Sequence, residues 1–550
     1  MLRHPKTRLY RFLEMIPGLF TWGTFGAAII LSYWHPVWVA FYIILFDLYW
    51  MFKAFNIGLH LLHTYKMMTI EQRHDWNARL HALADLPSHL ATLKQQHGRT
   101  RDRWEREDLE SEIERLERIL PKTASLYFER IYHLIILPMV HEPFEVIKTS
   151  LDSYAAAEYR SENILFVLAC EERAGRAATE VAKQAEAAYG EKFRKFLVSV
   201  HPDGIEGEAK TKGANITYAA RACRKILDEM QIPYENVIVS AFDADTVVKP
   251  SYFSQLAYRF LTTPNRTRAS YQPIALYHNN VWETPAINRI AAISNSFWLM
   301  IESSRADRLV TFSSHSMSYL TLVEVDFWPV DVIPEDSQIF WRCFLHYNGN
   351  YRTVPLLTTV SLDAVSLSSY ASSIVGQYKQ YRRWAWGVVD FPYVVNGFLK
   401  NRTIPLWKKF IYSFRLLEGH YFWATAAINI AILGWLPLLL GGSHFDNQVF
   451  AFNLPQVTKW IMTVSMVFLI FSVIINYLLL PNRPHYYSRW RTFGMLIQWV
   501  LVPVVSVIVH AFPAIDAQTR LLFGRYMEFW VTPKVRHTKN LIPGESQHGA

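Results

Sequence analysis

Apolar residues along this chain crowd into five stretches, at roughly 17–34, 36–61, 421–441, 457–480 and 493–514. Each is near the ~20 residues that a helix needs to cross the hydrocarbon layer of a membrane. Between the second and third lies a long polar middle whose pattern changes once. Residues 66–122 are highly charged, and in Arg101–Leu120 the apolar positions Leu109, Ile113, Leu116 and Leu120 recur at helical spacing. Glu114 precedes Arg118 by one turn, the favourable order for a helical ion pair. The pattern predicts a helical hairpin or short coiled coil; an arm that docks a partner would read the same way. From 128 onward, short runs rich in Ile and Val alternate with amphipathic helical stretches. This rhythm predicts an α/β fold with a mostly parallel sheet. Its expected strands are His133–Val140, Ile164–Cys170, Phe196–Val200 and Asn236–Phe242.

Composition sharpens the membrane reading. In 550 residues, hydrophobic types make up 51% and aromatic types 15%, an excess that needs a home outside an ordinary soluble core. The first apolar stretch is no cleavable signal, because it lacks a small-residue cleavage site and the second follows directly after His35-Pro36. Arg3, Lys6, Arg8 and Arg11 should stay in the cytoplasm by the positive-inside rule, and two crossings then return the chain there by about residue 62. The segment 442–456 has no Lys or Arg, whereas 481–492 carries Arg483, Arg489 and Arg491, which gives the same orientation. The expectation is a multi-pass protein of the inner (plasma) membrane with its polar middle in the cytoplasm. Segments are expected at 1–65 (two spans), 66–125 (charged helical insertion), 126–370 (α/β domain), 371–415 (interface helices), 416–518 (further spans) and 519–550 (cytoplasmic loop and tail).

Charge and cysteine content exclude some classes. The net charge of +9 suits nucleic acid, anionic lipid or phosphate-bearing substrates, but no basic run with interleaved aromatics resembles a nucleic-acid module. It is read as charge facing lipid and diphosphate, with no nucleic-acid partner. Cys170, Cys223 and Cys343 are too few and scattered for a disulfide framework or a metal cage. They are expected to be reduced and structural.

The candidate chemistry sits where ligands bind in open sheets, beyond the carboxyl ends of strands. Glu142, Glu171 and the pair Asp243 and Asp245 follow the first, second and fourth expected strands. Two carboxylates spaced by one residue can both reach a hard divalent cation, Mg2+ or Mn2+, that bridges to substrate phosphates. The plain alternative is a turn with an aspartate capping the next helix. Glu335 and Asp336 follow Pro334 at the start of a helical-looking Ser337–Tyr347, so they are either first-turn acids favoured by the helix dipole or, for Asp336, a general base. Gln380, Arg383 and Trp384 share one helical face in a segment dense with Arg and Trp, which fits an interfacial helix, a platform for a sugar ring and a diphosphate, or both. Lys212 opens Lys212-Gly213-Ala214-Asn215 before a helical run, and could set a cation near phosphates or merely start a solvated helix. His315, in the polar stretch Phe312–Ser318, reads as a satisfied loop histidine unless that loop lines an acceptor site. Asp47 and Lys53 lie near the cytoplasmic end of the second apolar stretch and receive no role.

Taken in order, Asp243-Ala244-Asp245, Pro334-Glu335-Asp336, Gln380-x-x-Arg383-Trp384 and Phe529-x-Val531-Thr532-x-Lys534 resemble the motif series of membrane-integrated family 2 glycosyltransferases of the cellulose synthase and hyaluronan synthase type. The resemblance covers about 128–535; each motif is loose, and their order is what is specific. It implies a GT-A-type nucleotide-sugar-binding domain inserted between transmembrane helices. It assigns Asp243 and Asp245 to Mg2+ or Mn2+ and the nucleotide diphosphate, Asp336 to the base, and Gln380, Arg383 and Trp384 to the acceptor sugar and diphosphate. Phe529, Thr532 and Lys534 would belong to a loop that closes over bound nucleotide. Two departures stand out: Glu171 and Glu172 replace the usual base-recognising Asp, and Phe312-Ser313-Ser314-His315-Ser316 replaces the Phe-x-Cys-Gly-Ser signature of cellulose synthases.

The expected activity is inverting transfer from a nucleotide-sugar, UDP-linked, to a growing polysaccharide, coupled to its secretion through the chain's own helices. The rivals are single-sugar transfer to a lipid or glycolipid and a non-catalytic transporter or scaffold with a degenerate transferase domain. One conflict remains: a full crossing by 493–514 would place Thr532 outside, away from nucleotide. The sequence therefore predicts a re-entrant or interface-lying hairpin at Pro503.

Overall fold

The computed structural model describes residues 7–534, so Arg3, Lys6 and the tail 535–550 lie outside the described residues. Eight strands form one sheet: β1 Tyr132–Met139, β2 Ile164–Glu171, β3 Lys195–His201, β4 Val237–Ala241, β5 Val247–Val248, β6 Ala269–Leu276, β7 Ser316–Ser318 and β8 Arg352–Ser361. Their spatial order is β3-β2-β1-β4-β7-β6-β8-β5. β2 and β4 are buried along their whole length, because unbroken apolar runs suit strands covered on both faces. Helices Phe144–Ala155, Gly175–Tyr189 and Tyr252–Thr262 cover one face, and Lys212–Glu229 and Glu335–His346 cover the other.

The sheet is mixed, where the Ile/Val rhythm predicted one mostly parallel. β1 pairs in parallel with β2 and β4, and β2 with β3. β7 then runs antiparallel to both β4 and β6. The cause lies in β7 itself: Ser316-Met317-Ser318 has no apolar run to mark it as a strand, and it completes the sheet through backbone pairing, the buried Met317 and a Ser316–Ser240 hydroxyl contact at 2.8 Å. The chain steps outward from β1 to β2 and β3, then returns to the far side of β1 as β4. Adjacent strand ends diverge at such a reversal and leave a crevice. Asp243 stands at its edge.

The charged insertion folds as helices Trp76–Ala82, Leu86–Arg99 and Arg103–Ile119, and Glu114 pairs with Arg118 at 3.1 Å. Leu80, Leu90, Leu109 and Leu116 pack into the same apolar cluster as β1 and β2. A buried polar network fastens it to Tyr252–Thr262: Arg259 pairs with Glu71, Gln255 donates to Glu71 at 2.7 Å, Arg79 meets Glu112 at 2.6 Å, and His74 meets Asp108 at 2.8 Å. Buried charges survive only when paired this way.

Four helices among the described residues are long and apolar enough to cross a membrane: Arg8–Trp34, Pro36–Glu71, Val449–Leu479 and Arg489–Leu522. Leu406–Ala431 with Leu433–Leu440, bent by 45° between them, would make a fifth if the two form one span. On Val449–Leu479, Phe452, Trp460, Met466 and Ile470 are exposed, as lipid-facing side chains would be.

No hairpin forms at Pro503. The chain stays helical from Arg489 to Leu522, passing through 3-10 geometry at Gln498–Leu501 and π geometry at Ser506–Ala511. These turns of altered pitch flank Pro503 and absorb the backbone bond that proline cannot make. Both ends of this long helix touch the α/β region or the helix that follows it. Arg491 donates to the Trp282 carbonyl, Arg289 to Gln498 at 2.8 Å, and Arg382 pairs with Asp516 at 2.9 Å. Cysteines placed at the exposed Tyr486 and Phe523 are therefore expected to react with an impermeant thiol reagent from the same side of the membrane; labelling from opposite sides would rule this arrangement out.

Candidate active site

Phe242 ends the β4 pairing by donating its N–H to the Ile136 carbonyl, and the chain turns sharply at Asp243, whose carbonyl accepts from Thr246 N at 2.9 Å. This turn points the two carboxylates of Asp243-Ala244-Asp245 to different neighbours. Asp243 Oδ2 accepts from Ser313 Oγ at 2.5 Å and Oδ1 from Lys212 Nζ at 2.7 Å. Asp245, 1% exposed, accepts the Asp363 N–H through Oδ2 at 2.7 Å and pairs with Lys534 through Oδ1. Asn279 bridges the Asp245 carbonyl and Asp363 Oδ1, each at 2.9 Å.

Lys212 is the first residue of helix Lys212–Glu229, and its ammonium lies 3.3 Å from both Asp336 oxygens as well as against Asp243. Gly213 makes that approach possible. A Cβ there would fall 2.5 Å from the Pro329 carbonyl oxygen and 2.9 Å from Glu335 Cβ, so only glycine lets the two helix starts meet. Burial alone would lower the Lys212 ammonium, but Asp243, Asp336 and Glu335 hold it above the ordinary lysine range. Burial alone would likewise raise the Asp243 carboxyl, yet Lys212 and Lys534 keep it below the usual carboxylate range. Glu335, buried beside Asp336, is pushed up to about 8 by burial first and then by its neighbour's charge. The crevice thus holds one acid, Glu335, biased toward its neutral form and another, Asp243, held ionised.

The helix Tyr370–Ala385, closed at its start by a Ser369/Ser372 capping box, lies over this edge. Trp384 packs on Tyr381 and Tyr277, with ring centroids at 4.9 and 6.4 Å. Tyr277 in turn lies in electrostatic range of Asp243, Asp245 and Arg383. The segment Phe529–Lys534 crosses the same helix: Arg383 sits over the Phe529 ring at 5.0 Å and Lys379 over Trp530 at 5.5 Å. From there Thr532 is buried and Lys534 reaches Asp245. Burial would lower the Lys534 ammonium, but Asp245, Asp243 and Asp363 raise it.

Asp243, Asp245, Asp336, Glu335, Lys212, Arg383, Trp384, Phe529, Thr532 and Lys534 therefore gather at one edge. Three of the candidates turn elsewhere. The Glu142 carboxylate caps its own loop, accepting from Val140 N at 2.7 Å and His141 N at 3.1 Å. Glu171 pairs with Arg173, and Gln380 accepts from Gln377 at 3.0 Å. Beside them, beyond β2 and β3, an open hollow of about 360 Å³ is lined by Glu171, Arg173, His201, Asp203, Lys210 and Thr211.

Several contributors escaped the sequence. Asp363 follows β8 just as Asp243 follows β4, and the same strand-end rule would have found it. Ser313 lay in the polar stretch around His315 but carried no motif. Asp390, 2% exposed, accepts from Ser337 Oγ at 2.5 Å and Gln338 Nε2 at 3.2 Å, tying the two helices together directly behind Asp336. Nothing local marks it. Among the described residues no group of three or more His, Cys, Asp or Glu side chains is placed to hold a metal ion, so any cation here would rest on Asp243, Asp245 and its substrate.

No family model and no curated protein sequence matches this chain. Among solved structures, it is similar to the mannosyltransferase PcManGT from Pyrobaculum calidifontis in complex with GDP-Man and Mn2+, at 13% identity and a TM-score of 0.39, over 80% of this chain and 100% of that one. It is also similar to S. aureus TarS 1-349 in complex with UDP-GlcNAc, at 12% identity and a TM-score of 0.35, over 63% of this chain and 91% of that one. Likeness of this degree leaves the chemistry to be argued from the crevice.

Burial pushes the Asp390 carboxyl up to about 7, against the pull of Ser337 and Gln338. Since its folded value stands above that of an exposed aspartate, its contribution is full in acid and is lost as pH rises through the folded value. Asp390→Asn, neutral throughout, is expected to gain stability relative to the parent between about pH 5 and about pH 8, by on the order of 2 kcal/mol. Thermal melts of both proteins in detergent check this; an offset independent of pH contradicts it.

Proposed function

We propose that this chain is an inverting glycosyltransferase of the membrane-integrated family 2 type, which moves a sugar from a nucleotide-sugar donor, UDP-linked, to a polysaccharide acceptor at the membrane face. One observation carries the reading. Lys212 holds Asp243 and Asp336, acids from opposite sides of the sheet edge, around a single buried ammonium. That arrangement supports reading one acid as a base and the other as a diphosphate-binding group within one charged crevice.

Asp336 is the base. Its carboxylate takes the proton of an acceptor hydroxyl while that oxygen bonds to the anomeric carbon; the bond from that carbon to the diphosphate oxygen breaks with its electron pair. A single displacement inverts the anomeric centre. The negative charge that builds on the leaving diphosphate falls beside Lys212 and Arg383, where donors already in place stabilise it without rearrangement. Trp384 offers the acceptor ring a flat apolar face.

Asp243 and Asp245 fit a hard divalent cation. Both are oxygen ligands, and the ammonium of Lys534 drawn onto the buried Asp245 indicates a position that calls for positive charge. Bound there, Mg2+ or Mn2+ would neutralise the diphosphate. Lys534, together with Phe529 and Thr532, then acts as a mobile cover whose cation and the metal compete for one carboxylate.

Purified protein with a panel of labelled nucleotide sugars and Mn2+ tests the proposal. Asp336→Asn and Asp245→Asn are each expected to lower turnover at least about 100-fold while the fold survives, the range that general-base assistance supplies. Asp245→Asn should also weaken Mn2+ binding measured by electron paramagnetic resonance without any donor present. Full turnover by Asp336→Asn would remove it as the base. A product of one sugar on lipid would replace polymer extension with single transfer, and absence of turnover on every donor would leave a non-catalytic protein.

A further inference from the structure

We infer that His315, together with Trp328, is a positioning device for the Asp336 carboxylate, a role that rests on the transferase reading above. The imidazole is fully buried, at the point where the loop Thr311–His315 enters β7. Its Nε2 lies 3.3 Å from Trp328 Nε1. An indole nitrogen can only donate, so Nε2 is the acceptor and Nδ1 carries the hydrogen. That Nδ1–H faces two oxygens, the Phe312 carbonyl at 2.9 Å and Asp336 Oδ1 at 3.6 Å. The ring is thus fixed in one tautomer and one orientation, with its dipole turned toward the base.

The same loop is tied at every step to a residue of the crevice. Thr311 Oγ1 donates to the Asp336 carbonyl at 2.6 Å, Gln272 Oε1 accepts the Phe312 N–H at 2.7 Å, and Ser313 Oγ holds Asp243. Ser314 Oγ meets Thr246 Oγ1 at 2.9 Å, and the His315 carbonyl accepts Ala241 N at 3.1 Å. Ser314 takes a left-handed φ of 64°, a conformation that costs a residue with a Cβ and persists when neighbours over-determine it. Strain of this kind, held by contacts to both Asp243 and Asp336, is what a spacer between the two acids would require.

The chemistry explains why the group is a neutral imidazole. A second full cation beside Asp336, added to Lys212, would drain its basicity. An apolar side chain would leave Oδ1 to Lys212 alone. A polarised N–H gives direction with little charge; burial holds the ring below the ordinary histidine range against the pull of Asp336, and the Trp328 N–H occupies its free lone pair. Facing the ring are Asp336 from helix Glu335–His346, Lys212 from helix Lys212–Glu229 and Asp243 from the end of β4.

Steady-state kinetics on the parent and on three variants separate this from a merely structural role. His315→Ala is expected to lower kcat about 10- to 100-fold with donor KM close to the parent's, the cost of a misplaced reacting group, alongside the lower melting temperature that any truncation of a buried side chain brings. His315→Asn, which sets an amide N–H near the Nδ1 position, should recover most of that loss. Trp328→Phe frees Nε2 to accept a proton, so the acid limb of its kcat profile should move up from the parent's. Parent-like kcat in His315→Ala, in a preparation where Asp336→Asn is inactive, overturns the inference and leaves the transferase reading intact. So does an Asn variant as impaired as the Ala variant, or an unmoved acid limb in Trp328→Phe. A parent without turnover on any donor removes both.

Discussion

The structure turns on one buried ammonium. Lys212 stands between Asp243 and Asp336, and each of the three would be costly alone in a crevice this closed. Together they hold a charge balance that draws the end of β4, the start of helix Lys212–Glu229 and the start of helix Glu335–His346 to one point. The constraint reaches backward into the sequence. The helix starts can approach only because residue 213 lacks a side chain, and Asp390 bonds Ser337 and Gln338 from behind.

Around that point the molecule is built to keep the edge rigid. β7 contributes little apolar burial, yet it locks β4 to β6 and carries the loop from Thr311 to His315 across the mouth of the crevice. On the opposite face, the insertion is joined to Tyr252–Thr262 through Arg259, Glu71, Arg79 and Glu112, so the long helix ending at Glu71 moves with the sheet.

The far end of the chain closes the other side. The helix Arg489–Leu522 runs without reversal past Arg289, Tyr381 and Arg382, with His510 stacked on Tyr381 at 4.7 Å, and delivers Phe529–Lys534 over the Arg383 face to Asp245. A segment that ends on a buried carboxylate cannot also lie across the membrane from it. Continuity through Pro503, rather than a hairpin, is how the chain meets that requirement: altered helical pitch accommodates the proline without breaking the rod.

What could be read from the sequence alone is whatever rests on near neighbours. Runs of Ile and Val marked β1 through β4, charge and apolar periodicity marked the insertion helices, and long apolar stretches marked the helices that can enter a membrane. Asp243, Asp336, Arg383 and Lys534 were legible because their short motifs carry recognisable residue types in a recognisable order. Tertiary structure decided the rest. It turned Glu142 and Gln380 away, made β7 a strand despite its serines, carried the rod straight through Pro503, and gave Asp363, Asp390 and His315 their places. Asp363 and Asp390 meet their partners across more than fifty residues of chain, and the free energy of a buried charge or an N–H is set by what it meets, which no local pattern encodes.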